Sequence, residues 1–216
     1  RIPRKNLKSF NGKPIIAWSI LAAQEAGVFD RIIVSTDDTE IASVAYEYGA
    51  EVPFIRPAEL SDDFTGTGPV ITHAIQWFAE KNLDPKLICC IYATAPFVQG
   101  EDIRQGLTKL ELSSADFAFS VTSFPFPIQR AIKLRSDGRI EMFDDSQFYT
   151  RSQDLIEAYH DAGQFYWGTH EAWLKGKRLF DVGSVPVLIP RYRVQDIDSN
   201  EDWINAEILM QVLNYR

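Results

Sequence analysis

The sequence is poor in cysteine, and this scarcity limits what thiol chemistry could contribute. Its two cysteines, Cys89 and Cys90, are adjacent within an apolar run. Neighbouring residues on a strand point to opposite faces, which argues against a disulfide between them and against a shared metal ion. We therefore predict that both are small, buried hydrophobic residues.

Positive charge and long apolar runs are also lacking. The 22 Lys and Arg against 30 Asp and Glu give a net charge of −8 and a pI of about 4.9. This balance argues against a general nucleic-acid or anionic-membrane surface, although a few local cations could still bind a nucleotide. No apolar run approaches the roughly 20 residues of a membrane span, and no signal peptide is recognisable. We expect a cytoplasmic protein with neither nucleic-acid nor membrane partners.

The sequence does contain enough apolar material, 45% of its 216 residues, for one domain spanning residues 1–216. Strand-like runs at 31–35, 51–55, 87–92, 117–122 and 185–189 alternate with helical patterns, some of which end at Gly27 and Gly49. Short connections between such elements predict an α/β fold with a doubly wound, mostly parallel sheet. Ligands bind such sheets beyond the carboxyl ends of the strands.

This alternation breaks after Thr122. Residues 131–134 and 140–143 flank Asp137-Gly138, a turn sequence that predicts an antiparallel hairpin. Exposed strand edges pair with other chains unless something covers them. We therefore expect an insertion at about 124–168 to form a small antiparallel dimerisation arm, and the protein to be a homodimer.

Asp196 and Asp198 are the leading candidates for a metal site. Apolar residues precede them, so we expect them at the end of a strand, where residues two apart share a face at roughly 6–7 Å. Hard oxygen ligands suit Mg²⁺, which takes its other ligands from water and substrate phosphates. The alternative is helix capping, because Ser199 and Asp202 have the spacing of a capping box. Capping would account for Ser199 and Asp202, but it would not account for Asp196 and Asp198.

The other end of the chain is basic. Arg1, Arg4 and Lys5 place three cations within five residues, which could either offset the charge of a triphosphate or form a solvated tail. A helical pattern with Pro14 in its first turn follows closely, which makes the tail the less favoured interpretation.

Four ordered blocks carry a resemblance to a known family: Ile2-Pro3-Arg4-Lys5-Asn6, Val34-Ser35-Thr36-Asp37-Asp38, Arg56-Pro57-Ala58-Glu59-Leu60 and Asp196-Ile197-Asp198. They resemble motifs of the CMP-nonulosonic acid synthetases, the cytidylyltransferases similar to CMP-sialic acid synthetase. Further blocks at 124–131, 151–155 and 159–167 are most similar to the pseudaminic acid cytidylyltransferase branch. The resemblance spans essentially the whole chain.

The resemblance implies a Rossmann-like, CTP-dependent nucleotidyltransferase that transfers CMP to the anomeric hydroxyl of a nonulosonic acid and releases pyrophosphate. It implies Mg²⁺ as the cofactor on Asp196 and Asp198, with Lys5 as a third catalytic residue. The implied nucleotide-binding residues are Arg1, Arg4, Asn6, Asp37, Arg56 and Thr67. The implied sugar-binding residues are Tyr92, Arg151, Asp161 and Tyr166, with the Arg151 guanidinium facing the sugar carboxylate. On the residues alone, Arg56 is nearly as well explained as a surface cation.

The sequence also departs from the family. The family has a first strand and a Gly-Ser-Lys phosphate loop before the position of Ile2, so we expect the natural protein to be longer and the present chain to be poorly active. Tyr92 and Asp161 stand where sialic acid synthetases have glutamine and asparagine. These differences favour pseudaminic acid as the sugar, with N-acetylneuraminate and legionaminate as alternatives.

Two interpretations come from other functional classes. A metal-dependent glycosyltransferase also uses an Asp-x-Asp pair, but an acceptor domain then follows it, whereas only residues 199–216 follow here. The second is a non-catalytic nucleotide-sugar-binding or scaffold domain. Release of pyrophosphate from CTP separates the three, because only a cytidylyltransferase produces it.

Overall fold

A computed structural model describes residues 2–62 and 64–214 of the chain. Its strands are β1 Ser9–Phe10, β2 Lys13–Pro14, β3 Leu87–Ile91, β4 Phe117–Ser123, β5 Ile132–Leu134, β6 Ile140–Met142, β7 Tyr159–Thr169 and β8 Ser184–Leu188. Its α-helices are α1 Ile15–Ala26, α2 Thr39–Glu47, α3 Thr67–Glu80, α4 Gly100–Leu112, α5 His170–Leu174 and α6 Asn200–Asn214. Short 3-10 helices include Lys5–Leu7 and Arg191–Arg193.

The main sheet has the strand order β3-β7-β4-β8. Strand β4 is parallel to β8, and β7 is antiparallel to both β3 and β4. Three of these strands therefore run in one direction and β7 runs in the other. The predicted α/β class is confirmed, and the sheet is mixed because the chain returns from the insertion through β7.

Helices cover both faces of this sheet, as the doubly wound prediction required. On one face, Phe165 and Trp167 of β7 pack in a core cluster with residues of α1 and α4. On the other face, Tyr166 lies in a cluster with Ile71 of α3 and Trp173 of α5. This division follows from the strand itself, in which successive side chains point to opposite faces.

Residues 31–35 and 51–55 pair in parallel, as expected, but through isolated bridges between Ile33 and Glu51 and between Thr36 and Ile55. The backbone amide of Arg56 donates to the carbonyl of Thr36 at 2.9 Å. This pairing ends at Thr36-Asp37-Asp38, and the Asp38 carboxylate caps α2 by accepting from the amides of Glu40 and Ile41. Helix α1 also ends as predicted, at Gly27 with φ of +65°.

The insertion contains the predicted hairpin. Strands β5 and β6 pair antiparallel with Ile132 opposite Met142, and Gly138 in the connecting turn has φ of +79°. Large apolar side chains of the insertion are exposed: Phe126, Leu134, Ile140, Phe143, Phe148, Tyr149 and Ile156. Dimerisation through this surface stays a prediction.

The expectation that Asp196 and Asp198 lie at the end of a strand is wrong. Strand β8 ends at Leu188, and Pro190 begins the 3-10 helix Arg191–Arg193. Proline has no N–H to continue a sheet ladder and its φ is fixed, so the chain turns before it reaches Asp196. Both carboxylates lie in the irregular segment between this turn and α6.

The two cysteines are free, as predicted, but both residues are half-buried rather than fully buried. Burial of the Cys90 thiol itself raises its pKa to about 12. Among the residues that the structure describes, no helix combines the length and apolar character needed to cross a membrane.

Candidate active site

The candidate site lies at one edge of the main sheet. The backbone amide of Tyr92, just after β3, donates to the carbonyl of Gln164 on β7 at 2.9 Å. Near the end of β4, Val121 pairs with Asp161. The antiparallel direction of β7 therefore brings its first residues to the edge where β3 and β4 end, which is where ligands bind in such folds.

A small cleft of about 200 Å³ lies beside the N-terminal 3-10 helix and contains Arg4, Lys5 and Asn6 together with Asp38. The Arg4 guanidinium lies 2.6 Å from the Glu40 carboxylate and 3.1 Å from that of Asp38. Backbone amides of α2, that of Ile41 foremost, hold the pKa of Asp38 below its usual value. Three of the predicted nucleotide-binding or catalytic residues are thus adjacent.

Lys5 connects this cleft with the acidic segment at the other end of the chain. Its Nζ donates to the backbone carbonyl of Ile197 and lies 3.4 Å from Oδ1 of Asp198. Ile197 is buried while Asp196 and Asp198 are exposed, so the apolar residue anchors the segment between two solvent-facing carboxylates. The three predicted catalytic residues therefore lie in one region.

The capping box after this segment is also formed. The Ser199 backbone amide donates to the Asp202 carboxylate at 2.8 Å, and the Asp202 amide donates to the Ser199 hydroxyl at 3.2 Å. The Ser199 hydroxyl and nearby amides hold the pKa of Asp202 below its usual value. Capping therefore occupies Ser199 and Asp202, while Asp196 and Asp198 keep their carboxylates exposed.

Arg56 lies beside the end of the 33–36 segment. Its Nε donates to the Ser61 hydroxyl at 3.0 Å, and its guanidinium lies 3.4 Å from Asp37 Oδ1. Two predicted nucleotide-binding residues, Arg56 and Asp37, are therefore paired in the free chain.

A larger cleft of about 560 Å³ extends from the start of α3 along the face of the sheet to α5 and contains Thr67, Tyr92 and Tyr166. The hydroxyls of Thr67 and Tyr92 are 3.4 Å apart. The buried Tyr166 hydroxyl donates to Asp161 Oδ2 at 2.7 Å, and the Gly163 amide donates to Oδ1 at 2.8 Å. Burial raises the pKa of Tyr166 above its usual value, and the Asp161 carboxylate raises it further.

One predicted sugar-binding residue, Arg151, lies away from both clefts. Arg151 is exposed in the insertion, where its Nε donates to Asp154 at 2.7 Å. It is absent from the described residues that line either cleft. Arg1 lies outside the described residues.

The model of a family described as "Cytidylyltransferase" matches residues 1–186 of this sequence. The chain belongs to the cytidylyltransferase family. As a cytidylyltransferase it is a CTP-dependent nucleotidyltransferase, so the glycosyltransferase and non-catalytic interpretations lose their support. The matched range ends before Asp196.

Individual relatives agree with this assignment. The pseudaminic acid cytidylyltransferase of Campylobacter jejuni (serotype O:2) is 43% identical over 212 residues, covering 98% of this chain and 91% of that protein. The CMP-N,N'-diacetyllegionaminic acid synthase of Legionella pneumophila is 27% identical over 216 residues, with 98% and 91% covered. A solved CMP:2-keto-3-deoxy-manno-octonic acid synthetase in complex with CTP superposes with a TM-score of 0.70 over 98% of this chain and 93% of that one. At 13% identity, that structure supports the fold alone.

Cytidylyltransferases of this family generally use a divalent metal ion. Among the described residues, no group of three or more His, Cys, Asp or Glu side chains is arranged to hold a metal ion. The exposed carboxylates of Asp196 and Asp198 nevertheless fit a hard cation that takes its other ligands from water and substrate phosphates. The donor set therefore suits a metal that arrives with the nucleotide.

Sequence reasoning missed two residues of the candidate site. Glu40 binds Arg4, but an acidic residue in the first turn of a helix is expected for the helix dipole alone. Trp173 lines the large cleft from the short helix α5. Thr169 could have indicated the start of this helix in the sequence, because threonine is a favoured N-cap residue. In the structure its Oγ1 accepts from the amide of Ala172 at 3.1 Å.

Proposed function

We propose that this cytidylyltransferase transfers CMP from CTP to the anomeric hydroxyl of a nonulosonic acid, namely pseudaminic acid, in the cytoplasm. The observation that carries this proposal is the 43% identity with the Campylobacter jejuni pseudaminic acid cytidylyltransferase over 98% of this chain. The large cleft supports it, because it includes Tyr92, directly after β3, and ligands bind such folds beyond the carboxyl ends of the strands. The Legionella relative makes legionaminic acid the second candidate sugar.

The small cleft and its surroundings would bind the nucleotide. Arg4 and Lys5 would face the phosphates, and Asn6 would bond the ribose or base. Arg56 has the donors to hold the cytosine carbonyl, and Thr67 at the start of α3 would close over the base. The remaining predicted nucleotide contacts are Arg1 and Asp37.

The large cleft would bind the sugar next to the nucleotide. Tyr92 would lie between the nucleotide and the sugar, because its hydroxyl is 3.4 Å from that of Thr67, a proposed nucleotide contact, and its ring centroid is 5.0 Å from that of Tyr166, a proposed sugar contact. Asp161, positioned by the Tyr166 hydroxyl and by the Gly163 amide, would accept hydrogen bonds from hydroxyl or amide groups of the sugar. A carboxylate offers acceptors only, which favours sugars that present donors at this position.

The reaction needs the anomeric oxygen in line with the bond between the α- and β-phosphates. The new bond joins this oxygen to the α-phosphorus, the bond to the bridging oxygen breaks, pyrophosphate leaves, and the proton of the hydroxyl passes to solvent. Phosphoryl transfer depends mainly on positioning and charge stabilisation. Lys5 would contribute to both, since it lines the small cleft and contacts the acidic segment. When bound by Asp196 and Asp198, Mg²⁺ would polarise the α-phosphate and lower the pKa of the attacking hydroxyl.

The insertion would complete the site in a homodimer. Its exposed apolar side chains form a surface that suits a protein interface. Arg151 lies on this insertion and is exposed, so a second copy could bring it to the sugar cleft of its partner. There its guanidinium would bind the sugar carboxylate through two parallel hydrogen bonds.

A pyrophosphate-release assay tests the proposal. The full-length protein, CTP and Mg²⁺ would be combined in turn with pseudaminic, legionaminic, N-acetylneuraminic and 2-keto-3-deoxy-manno-octonic acids. We expect release with pseudaminic acid at a kcat/KM well above that of the other three. Release with none of these acids would overturn the function, and a preference for another acid would overturn the assigned sugar.

A further inference from the structure

A buried ion pair lies directly before the segment that carries Asp196 and Asp198. The Arg193 guanidinium donates to both oxygens of Asp102, with Nη2 to Oδ1 at 3.0 Å. Both residues are 8% exposed, and Asp102 lies in the first turn of α4. Arg193 thereby fixes the start of the acidic segment to α4.

The backbone of Arg193 is held as firmly as its side chain. Its carbonyl accepts a hydrogen bond from Nε2 of Gln164 at 2.6 Å, and Gln164 is 3% exposed on β7. The backbone carbonyl of Gln164 in turn accepts from the amide of Tyr92 at 2.9 Å. One buried residue therefore connects the acidic segment with the edge that carries the large cleft.

We propose that Arg193, together with Asp102 and Gln164, positions Asp196 and Asp198 for metal and CTP binding. This inference rests on the proposed function of the two carboxylates. The segment has neither helical nor strand hydrogen bonding of its own, so its geometry depends on buried Ile197 in its middle and on anchors at its ends. The capping box holds the end at Ser199, and Arg193 holds the beginning.

A bidentate pair explains why the anchor is an arginine. The planar guanidinium meets the carboxylate with two parallel donors, which fixes orientation as well as distance. Lysine would keep the charge but lose this geometry. Residues that orient metal ligands from behind typically change metal affinity or activity about 10–100-fold when mutated.

The test measures binding of Mn²⁺ in the presence of CTP by electron paramagnetic resonance, alongside kcat, both KM values and the melting temperature. For Arg193→Lys and for Asp102→Asn we expect the apparent Kd for Mn²⁺ to rise about 10–100-fold. We expect the KM for the sugar to change less than about twofold. The control is Arg104→Lys on the same helix, whose guanidinium bonds Glu101 and the carbonyl of Glu25 and which should leave Mn²⁺ affinity unchanged.

Gln164→Met keeps the test decisive if either charged variant fails to fold, because it removes one hydrogen bond without leaving a buried charge. We expect it to weaken Mn²⁺ binding about threefold to tenfold. Unchanged Mn²⁺ affinity in a folded Arg193→Lys or Gln164→Met protein, with only the melting temperature lowered, would show a purely structural role and overturn the inference. The Mn²⁺ readout needs no turnover, so a wild-type protein that binds Mn²⁺ with CTP but transfers nothing would count against the proposed function alone.

Discussion

Replacing Asp198 with asparagine separates a catalytic role from a structural one. The Asp198 side chain is 66% exposed, and its Oδ1 lies 3.4 Å from Lys5 Nζ. An exposed ion pair of this kind contributes at most about 1 kcal/mol. The backbone amide of Asp198, which donates to Asp202 at 3.2 Å, is retained in the variant. We therefore expect Asp198→Asn to lower the free energy of unfolding by less than about 1 kcal/mol.

The expected effect on turnover is much larger. Asparagine fills the same volume but removes the negative charge, and with it one of the two oxygen ligands suited to Mg²⁺. Mutation of a residue that orients a metal ligand typically lowers metal affinity or activity about 10–100-fold. Loss of the ligand itself should therefore lower kcat/KM at least about 100-fold. This corresponds to about 2.7 kcal/mol of transition-state stabilisation.

The assay is pyrophosphate release over a titration of Mg²⁺, with thermal melting of the same samples. Asp84→Asn is a matched control, because it removes an exposed ion pair with Lys86 and lies outside both clefts and the acidic segment. It should cost less than about 1 kcal/mol of stability and retain turnover. Full activity of Asp198→Asn, or activity lost only together with the fold, would refute the metal role.

Further changes test the remaining assignments. Arg151→Lys should raise the KM for the sugar about tenfold or more and leave the KM for CTP nearly unchanged. Equal changes in both KM values would indicate that Arg151 only forms a surface ion pair. Tyr166→Phe should lower the free energy of unfolding in urea by about 1.5 kcal/mol, since Asp161 loses a hydrogen bond to its charge; unchanged stability would contradict this. Glu40→Gln should lower the KM for CTP up to about fivefold by freeing Arg4, and a higher KM would argue against Arg4 as a phosphate ligand. Light scattering at micromolar concentration should show a dimer, and a monomer would contradict the role of the insertion.

The elements of the fold were accessible to sequence reasoning because each carries a local signal. Gly27 ends α1 with a positive φ that other residues rarely adopt. The Asp137-Gly138 turn predicted the hairpin that β5 and β6 form. The direction of β7 had no comparable signal, since a strand's neighbours depend on where the preceding loop returns the chain. Pro190 was the overlooked sign that the chain turns before Asp196.

The site was accessible only in part, since its contacts join distant parts of the chain. Lys5 and Ile197 are 192 positions apart, and Asp102 and Arg193 are 91 apart. Family motifs indicated the contact between Lys5 and the acidic segment, because Lys5 and Asp198 lie within motif blocks that the resemblance identified. No motif marks Asp102 or Arg193, and a buried ion pair cannot be distinguished from two surface charges by composition or periodicity.

The charges around the small cleft indicate why a divalent cation should accompany the nucleotide. Among the described residues, the predicted phosphate and base ligands Arg4, Lys5 and Arg56 are all paired with carboxylates in the free chain. These carboxylates are Asp37, Asp38, Glu40 and Asp198, and Asp196 lies beside them. Three cations therefore face five acidic groups, so the region would repel a bare triphosphate rather than attract it. A metal ion bound to the phosphates would reverse this balance by neutralising part of the triphosphate and by binding the exposed carboxylates of Asp196 and Asp198, so CTP affinity should depend steeply on the metal.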